Sequence, residues 1–251
     1  MSYEQYRPTG FRVLPLVVKN LLIINGLFYL ATLTFGKVFN VDLTEILGLH
    51  YFQSNAFRPF QLVTYMFMHD PSNFSHILFN MFALWMFGNV LENFWGPKRF
   101  LIYYMITGIG AGLIQLLVIY IQVHYAAQHL TVEQIAQVRE TGYQILQNNQ
   151  NFVDPFMGKL NALYNMTTVG ASGAVFGLLL AFGMLFPNTL IYIYFFIPMK
   201  AKWFVVIYGL IELFSGVYNS GSNVAHFAHL GGMLFGYFLI VYWKKNPHHN
   251  Y

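Results

Sequence analysis

Residues 169–187 read VGASGAVFGLLLAFGMLFP, an apolar stretch that carries a single serine, Ser172, close to its start. A transmembrane helix needs about 20 mostly apolar residues, which this stretch nearly supplies. Gly173, Gly177 and Ala181 follow one another at intervals of four, a spacing of small residues that lets membrane helices pack closely. The stretch therefore predicts a membrane helix with one close-packed face and with Ser172 at one end.

The rest of the chain has the same apolar character. Of its 251 residues 57% are hydrophobic and only 9% are charged, whereas a soluble domain carries roughly 25% charged residues. Five further stretches are long and apolar enough to span a membrane: 15–36, 70–93, 99–123, 200–218 and 224–243. We therefore expect an all-α polytopic membrane protein in which six transmembrane helices form a single domain, residues 1–251.

The basic residues indicate how such a domain is oriented. With six spans, nine of the 13 lysines and arginines fall on one face. These are Arg7, Arg12, Lys19, Lys98, Arg99, Lys200, Lys202, Lys244 and Lys245. Because basic residues accumulate on the cytoplasmic side, both termini are predicted to be cytoplasmic. The basic residues lie at segment ends and form no single patch, so the pI near 9.1 gives no reason to expect a nucleic-acid partner.

The first apolar stretch could be mistaken for a secretory signal. No small-residue cleavage site follows it, which predicts an uncleaved first span. The short termini and the lack of a transit segment favour the inner membrane of a bacterium. Membrane lipid is then the surrounding solvent.

Three connections have a character of their own. Residues 37–69 mix apolar and charged positions, which predicts an amphipathic segment at the outer interface. Residues 124–168 form a polar outer loop; Thr131 and Gln134 fit a capping box and predict a short surface helix, with a solvated extension of the third span as the alternative. Residues 188–198 are apolar but end at Pro198, which predicts a turn segment and not a seventh span.

The predicted topology puts Ser172 near the outer end of the fourth span, in the first turn of its helix. Backbone N–H groups in a first turn have no carbonyl partner within the helix. A serine in this position can attack a carbonyl while the neighbouring N–H groups stabilise the negative oxygen that forms. The alternative is a small residue in a helix interface, and the two interpretations are compatible.

A serine nucleophile needs a base, and the sixth span offers two histidines. His229 lies about one turn deeper than His226, and Gly232 and Gly236 follow His229 on a face suited to close helix contact. Two glycine-lined helices can approach closely enough for Ser172 and His229 to share a hydrogen bond. The spacing alone leaves His226 as a second candidate.

Two further polar residues lie near the outer end of the second span. His76 and Asn80 are four apart and therefore share a helix face, where both can donate hydrogen bonds to an oxyanion. The alternative is a polar clamp between helices. The histidines His69, His76, His226 and His229 suggest a metal cluster, but we found no acid or thiol to complete one, so no metal is expected. No zinc-protease His-Glu-x-x-His motif and no paired intramembrane aspartates occur.

Taken together, these residues resemble the rhomboid family of intramembrane serine proteases. Gly170-Ala171-Ser172-Gly173 is similar to the nucleophile motif of that family. Ala228-His229-Leu230-Gly231-Gly232, followed by Gly236, resembles its histidine motif, and His76-Ile77-Leu78-Phe79-Asn80 resembles its oxyanion motif. The alignment selects His229 over His226, because the following glycines have the family's offsets.

The resemblance implies a Ser172–His229 dyad without a third carboxylate, an oxyanion hole of His76, Asn80 and the Ser172 N–H, and no cofactor. Arg58 resembles the arginine of the family's interfacial loop, although Phe57 stands where a Trp is often found. Glu92 is expected to make structural hydrogen bonds, and Glu212 has no assigned role.

The substrates implied by the resemblance are transmembrane segments of other membrane proteins. They would enter past the fifth span, where Trp203, Phe204 and Tyr208 are the bulky candidates, beneath a capping loop at 218–223.

The alternative function is a non-catalytic rhomboid-like chaperone or quality-control factor, against which the intact Ser172 and His229 argue. A transporter is disfavoured because no repeated half is evident.

Overall fold

The computed structural model describes residues 10–193, 196–218 and 225–245. They form long helices joined by shorter helices and by two small antiparallel sheets. The elements are α1 (Leu16–Thr34), a π-helical turn (Phe35–Phe39), α2 (Leu43–Leu47), β1 (Leu49–His50), α3 (Gln61–Thr64), a 3-10 turn (Tyr65–Phe67), α4 (Phe74–Trp95), α5 (Pro97–Ala127), α6 (Val132–Gln147), α7 (Pro155–Asn165), β2 (Thr167–Thr168), α8 (Ser172–Leu185), β3 (Leu190–Ile193), β4 (Ile197–Lys200), α9 (Ala201–Tyr218) and α10 (His226–Lys245).

Among the described residues, four helical segments are long and apolar enough to cross a membrane. They are α1 with its π-helical turn, α4, α5 and α9. The helix α8 is apolar but has only 14 residues, shorter than the predicted 169–187, and α10 has histidines near its start and two lysines at its end. The protein is a polytopic helical membrane protein as predicted, but the predicted number of six spans is not confirmed.

The helices α5, α8 and α10 pack at the centre of the molecule through their small residues. A side chain added at Gly232 of α10 would overlap the backbone carbonyl of Gly173 in α8. One added at Gly177 would lie 2.7 Å from Thr107 of α5. The close contact between the two glycine-lined helices, predicted from their spacing, is confirmed, and it brings the backbones of α8 and α10 together near Ser172.

Glu92 in α4 caps the start of α1. Its Oε1 accepts a hydrogen bond from the N–H of Val17 at 2.9 Å, and its Oε2 accepts one from the N–H of Val18 at 2.8 Å. The residue before the helix, Pro15, offers no side-chain cap. A carboxylate at a helix N-terminus also interacts favourably with the helix dipole. The structural role expected for Glu92 is thus confirmed.

Substituting Glu92 with alanine should lower the thermal stability of the detergent-solubilised protein. The change leaves two N–H groups of α1 without their acceptor, which costs about 1–3 kcal/mol. The control is Glu140→Ala, because Glu140 is an exposed acid of α6. Equal melting temperatures for the two variants would contradict this role of Glu92.

The segment 37–69 contains several short elements and no continuous amphipathic helix. Gln61 organises them, because its buried side-chain amide donates to the carbonyls of Ile46 and Ala56 at 3.1 and 3.0 Å and accepts from the N–H of Arg58 at 3.1 Å. The strand β1 of this segment pairs with β2, with Leu49 opposite Thr168. The segment is therefore fixed to the residues that precede Ser172.

The outer loop 124–168 is more helical than predicted. The capping box of Thr131 and Gln134 is present at the start of α6, so the surface helix is confirmed. The second helix, α7, was missed, although Asp154 accepts hydrogen bonds from the N–H groups of Phe156 and Met157 and Pro155 takes the first helical position. The helix α5 continues to Ala127, beyond the predicted end of the third span at residue 123. This continuation corresponds to the alternative prediction, a solvated extension of the third span.

The segment 188–198, predicted to be a turn segment, contains strand β3 and the start of strand β4. The two strands pair antiparallel, with Leu190 opposite Lys200 and Ile193 opposite Ile197. The prediction that no seventh span occurs here agrees with the strands observed.

Candidate active site

Ser172 is held in place by the segment that precedes it. The N–H of Gly170 donates to the carbonyl of Tyr65 at 2.9 Å, and the phenol of Tyr65 donates to the carbonyl of Gly108 in α5 at 2.6 Å. The helix α8 begins at Ser172 itself. Its first N–H groups therefore point toward the serine end of the helix, where no helical carbonyl can accept them.

The structure brings Ser172 and His229 into direct contact. Nε2 of His229 lies 2.8 Å from Oγ of Ser172, a hydrogen-bond distance. The imidazole stacks on the ring of Phe176, one turn after Ser172, with centroids 4.2 Å apart and an angle of 5° between the planes. His229 is 8% exposed. The ring is thus fixed in the orientation that a base acting on Ser172 requires.

A carboxylate lies on the other side of the same imidazole. Oε2 of Glu212, a buried residue of α9, is 2.9 Å from Nδ1 of His229. The expected dyad without a third carboxylate is therefore wrong for this geometry, because Glu212, Nδ1, Nε2 and Ser172 form a chain of contacts. An acceptor at Nδ1 keeps the ring proton on that nitrogen and leaves Nε2 free to accept a proton from Ser172.

Glu212 has a second histidine partner. The same Oε2 lies 2.7 Å from Nδ1 of His226, and the two imidazoles are nearly perpendicular, at 87°. The sequence left His226 as a rival base. The contact between Ser172 and Nε2 of His229 favours His229 for that role, and His226 shares its carboxylate.

His76 faces the same space as Ser172. A methyl group built on Gly170 would lie 2.9 Å from Nε2 of His76 and 3.5 Å from Oγ of Ser172. The N–H of Asp70 points at Nδ1 of His76 at 3.5 Å, at the limit of hydrogen bonding. An acceptor Nδ1 leaves the ring proton on Nε2, on the side of Ser172.

Asn80 lines the same cavity as His76, as the shared helix face predicts. Its side-chain nitrogen donates to the carbonyl of His76 at 2.9 Å, within the helix. An amide nitrogen carries a second N–H that this bond does not use. Asn80 therefore both braces the helix backbone at His76 and retains a donor.

Gly170→Ala should abolish any reaction that needs Ser172 and His76 together. Gly170 has a φ of 130°, which disfavours any side chain, and the added methyl group would fill the space between the two side chains. We expect a fall in reaction rate of at least about 100-fold, comparable to the loss of one oxyanion donor. Gly26→Ala is the control, since its added methyl group contacts nothing within 4 Å; equal rates for the two variants would exclude this geometry.

A cavity of about 840 Å³ contains these side chains. Its walls come from α4, α8, α9 and α10 and from the strand β2. Phe204 and Tyr208 of α9 line it, whereas Trp203 is exposed elsewhere on the surface of the helix. Of the predicted capping loop 218–223, only Tyr218 belongs to the described residues, and the remaining positions lie outside them.

Arg58 lies outside this cavity. Its guanidinium donates to the carbonyls of Asn55 and Phe57 at 2.9 and 2.7 Å and is exposed. The arginine therefore closes the turn of the interfacial loop. Phe57, which stands where the resemblance suggests a Trp, is partly buried and packs against the main core.

His69 is fully buried beside the site. Its ring lies 5.2 Å from the ring of His76. Burial, and to a lesser extent the nearby His76, lowers the pKa of His69 from 6.5 to about 4. The folded protein therefore holds His69 neutral where the unfolded chain protonates it.

This shift predicts a loss of stability at mildly acidic pH. Between the unfolded pKa of 6.5 and the folded value of about 4, only the unfolded chain binds the extra proton, so stability falls as the pH falls. At pH 5 the loss should reach roughly 2 kcal/mol relative to pH 7. The fall in melting temperature from pH 7 to pH 5 should be smaller in His69→Gln than in the wild type. An equal fall would contradict the assignment.

The fold and this site define a polytopic helical membrane protein with a Ser–His–Glu constellation, in which the histidine and the glutamate are buried. Residues 19–251 match the family described as "Eukaryotic integral membrane protein (DUF1751)", and the protein belongs to that family. It is 26% identical to "Rhomboid-like protein 11, chloroplastic" of Arabidopsis thaliana over 234 residues, which cover 89% of this chain and 67% of that protein. It is 27% identical to "RHOMBOID-like protein 12, mitochondrial" of the same plant over 221 residues, which cover 86% of this chain and 55% of that protein.

These matches support a rhomboid-like membrane protein, as the motifs indicated. Neither the family description nor the two names states a peptidase activity, so catalysis remains a prediction. An integral membrane location is confirmed. The family description is eukaryotic and the two names are organellar, so the predicted bacterial compartment is not supported.

Proposed function

We propose that the protein is an intramembrane serine endopeptidase that cleaves transmembrane segments of other membrane proteins. The observation that carries the proposal is the 2.8 Å contact between Ser172 Oγ and His229 Nε2 in a cavity of about 840 Å³. Ionisable and polar groups are costly inside a membrane domain, and their convergence is hard to explain by packing alone. The motif resemblance and the similarity to rhomboid-like proteins support the same reaction.

The first step is attack of Ser172 Oγ on the scissile carbonyl. His229 takes the hydroxyl proton at Nε2, and Glu212 stabilises the imidazolium through Nδ1. The oxyanion that forms is stabilised by the Ser172 N–H and by the Nε2–H of His76, with Asn80 as a further donor. His229 then gives its proton to the leaving amine, which breaks the peptide bond and leaves an acyl group on Ser172.

Water completes the reaction. His229 removes a proton from a water molecule, and the resulting hydroxide attacks the acyl carbonyl. The ester bond to Ser172 breaks, and the serine oxygen regains its proton from His229. No step needs a cofactor, and no atom beyond those of substrate and water is consumed.

The substrate reaches Ser172 from the lipid, between α4 and α9. The cavity is bordered by Phe79 and Phe82 of α4 on one side and by Phe204 and Tyr208 of α9 on the other. A substrate helix must unwind there to expose its peptide bonds, so segments with Gly or Pro are preferred. In this proposal the domain has six spans, with both termini cytoplasmic and the cavity opening to the outer face.

The function is tested with the full chain reconstituted in lipid vesicles. The probes are single-span proteins that carry Gly or Pro in the outer half of the span, and products are identified by mass spectrometry. Cleavage within the span is expected with the wild type and with Ser75→Ala, a serine of the same cavity, and is expected to be lost with Ser172→Ala.

Two results would overturn the proposal. Cleavage that persists in Ser172→Ala would exclude this nucleophile. Failure to cleave any probe, combined with binding of membrane proteins that survives Ser172→Ala, is what a non-catalytic chaperone predicts.

A further inference from the structure

Glu212, His226 and His229 form a compact cluster where α9 meets α10. One nitrogen of each imidazole and one carboxylate oxygen lie within 4.8 Å of one another. The two contacts that join them, from Glu212 Oε2 to the two Nδ1 atoms, are 2.7 and 2.9 Å long. Two histidines and a glutamate are a ligand set that zinc takes in proteins, with a water in the fourth position.

This cluster supplies the acid that the sequence did not reveal. From the sequence, His226 and His229 were candidates for a metal cluster with His69 and His76, but no acid or thiol was identified that would complete it. In the structure the four histidines separate into two pairs, and the ring of His69 lies 5.2 Å from that of His76. Glu212 joins the other pair, so the metal-binding chemistry lies there.

We propose that Glu212, His226 and His229 bind a divalent transition metal, with Zn²⁺ as the best match. Tetrahedral zinc with bonds of about 2.0–2.1 Å holds its ligand atoms roughly 3.3 Å apart. The two hydrogen-bonded pairs would therefore have to open by only about half an ångström. All three side chains are buried or nearly so, at 14% exposed for His226 and 9% for Glu212, which removes competing water from the ligands.

Metal binding would switch off the base, a consequence that rests on the proposed function. A neutral imidazole has one N–H and one lone pair, and the metal takes the lone pair of Nδ1. The proton of His229 then moves from Nδ1 to Nε2, which faces Ser172. An Nε2 that carries a proton cannot accept one from Ser172, so the bound metal is an inhibitor.

Binding is measured on the Ser172→Ala variant of the full chain in detergent, after removal of metals with a chelator. Titration with Co²⁺ is expected to give the visible absorption of a four-coordinate site, saturating at one ion per chain and lost when Zn²⁺ is added. In the Glu212→Ala and His226→Ala backgrounds the dissociation constant should rise at least about 100-fold, since loss of outer-shell partners alone costs 10- to 100-fold. His124→Ala, an exposed histidine of α5, should bind as before.

An unchanged Co²⁺ spectrum in Glu212→Ala or His226→Ala would overturn the site, as would the absence of any four-coordinate spectrum.

Inhibition is measured on the cleaving protein, with each variant compared with its own metal-free rate. Zn²⁺ should inhibit the wild type reversibly and should require a concentration at least about 100-fold higher in His226→Ala. Cleavage without a metal spectrum would refute the site and leave the protease intact, whereas a metal spectrum without any cleavage would refute the protease and leave the site intact.

Discussion

His229→Ala is expected to lower the rate of intramembrane cleavage by roughly 10⁴- to 10⁶-fold, the loss seen when a serine protease loses its base. The reason is the 2.8 Å contact between Nε2 and Ser172 Oγ, which no other histidine has among the hydrogen bonds described. His226→Ala should cost much less, about tenfold or below, because the contact described for His226 is with the carboxylate of Glu212 and not with Ser172. The measurement is the initial rate on one single-span substrate, at equal amounts of folded protein.

The pair of variants separates the two histidines. Each imidazole contacts the same oxygen of Glu212, so both substitutions remove one hydrogen bond from that carboxylate. A larger loss in His226→Ala than in His229→Ala would reverse the assignment of the base. Similar melting temperatures for the two variants would show that the rate difference does not come from unfolding.

Glu212→Gln is expected to lower the turnover number by roughly 10²- to 10⁴-fold, with a much smaller effect on KM. The amide can donate its N–H to Nδ1 of His229, which then forces the ring proton onto Nε2. Glu212→Ala removes the orienting group but imposes no tautomer. Glutamine should therefore be at least as damaging as alanine, although it is the more conservative change in shape.

The two Glu212 variants distinguish an orienting role from a packing role. If Glu212 only joined α9 to α10, glutamine would preserve activity better than alanine, because it fills the same volume and keeps a hydrogen bond. Rates within about threefold of the wild type for both variants would exclude Glu212 from the reaction. Protein stability is measured alongside, by thermal unfolding in the same detergent.

The glycine spacing made the meeting of Ser172 and His229 predictable from the sequence. Small residues at Gly173 and Gly232 permit a close approach of two helices, and the predicted depth of both side chains brought them to one level. The helix at 132–147 was predictable for a local reason, because the capping box is contained in four consecutive residues. Such inferences need only the chain itself and the period of a helix.

The role of Glu212 was not predictable in this way. A lone acid in an apolar span can face lipid, a neighbouring helix or a cavity, and the rotation of α9 about its axis decides which. One signal was present: Glu212 lies six residues before the end of α9 and His229 three residues after the start of α10, so antiparallel helices bring them to similar depths. The hairpin of β3 and β4 depends on pairing between strands, which the apolar sequence of the segment does not specify.

The chemistry assigned to Ser172 is tested most directly by a fluorophosphonate probe, followed by mapping of the adduct with mass spectrometry. A serine activated by His229 and Glu212 should form a covalent phosphonyl adduct at Ser172 in the wild-type protein, and the adduct should be absent from Ser172→Ala and strongly reduced in His229→Ala. Folded protein that forms no adduct at Ser172, or that is labelled equally with and without His229, would contradict the account.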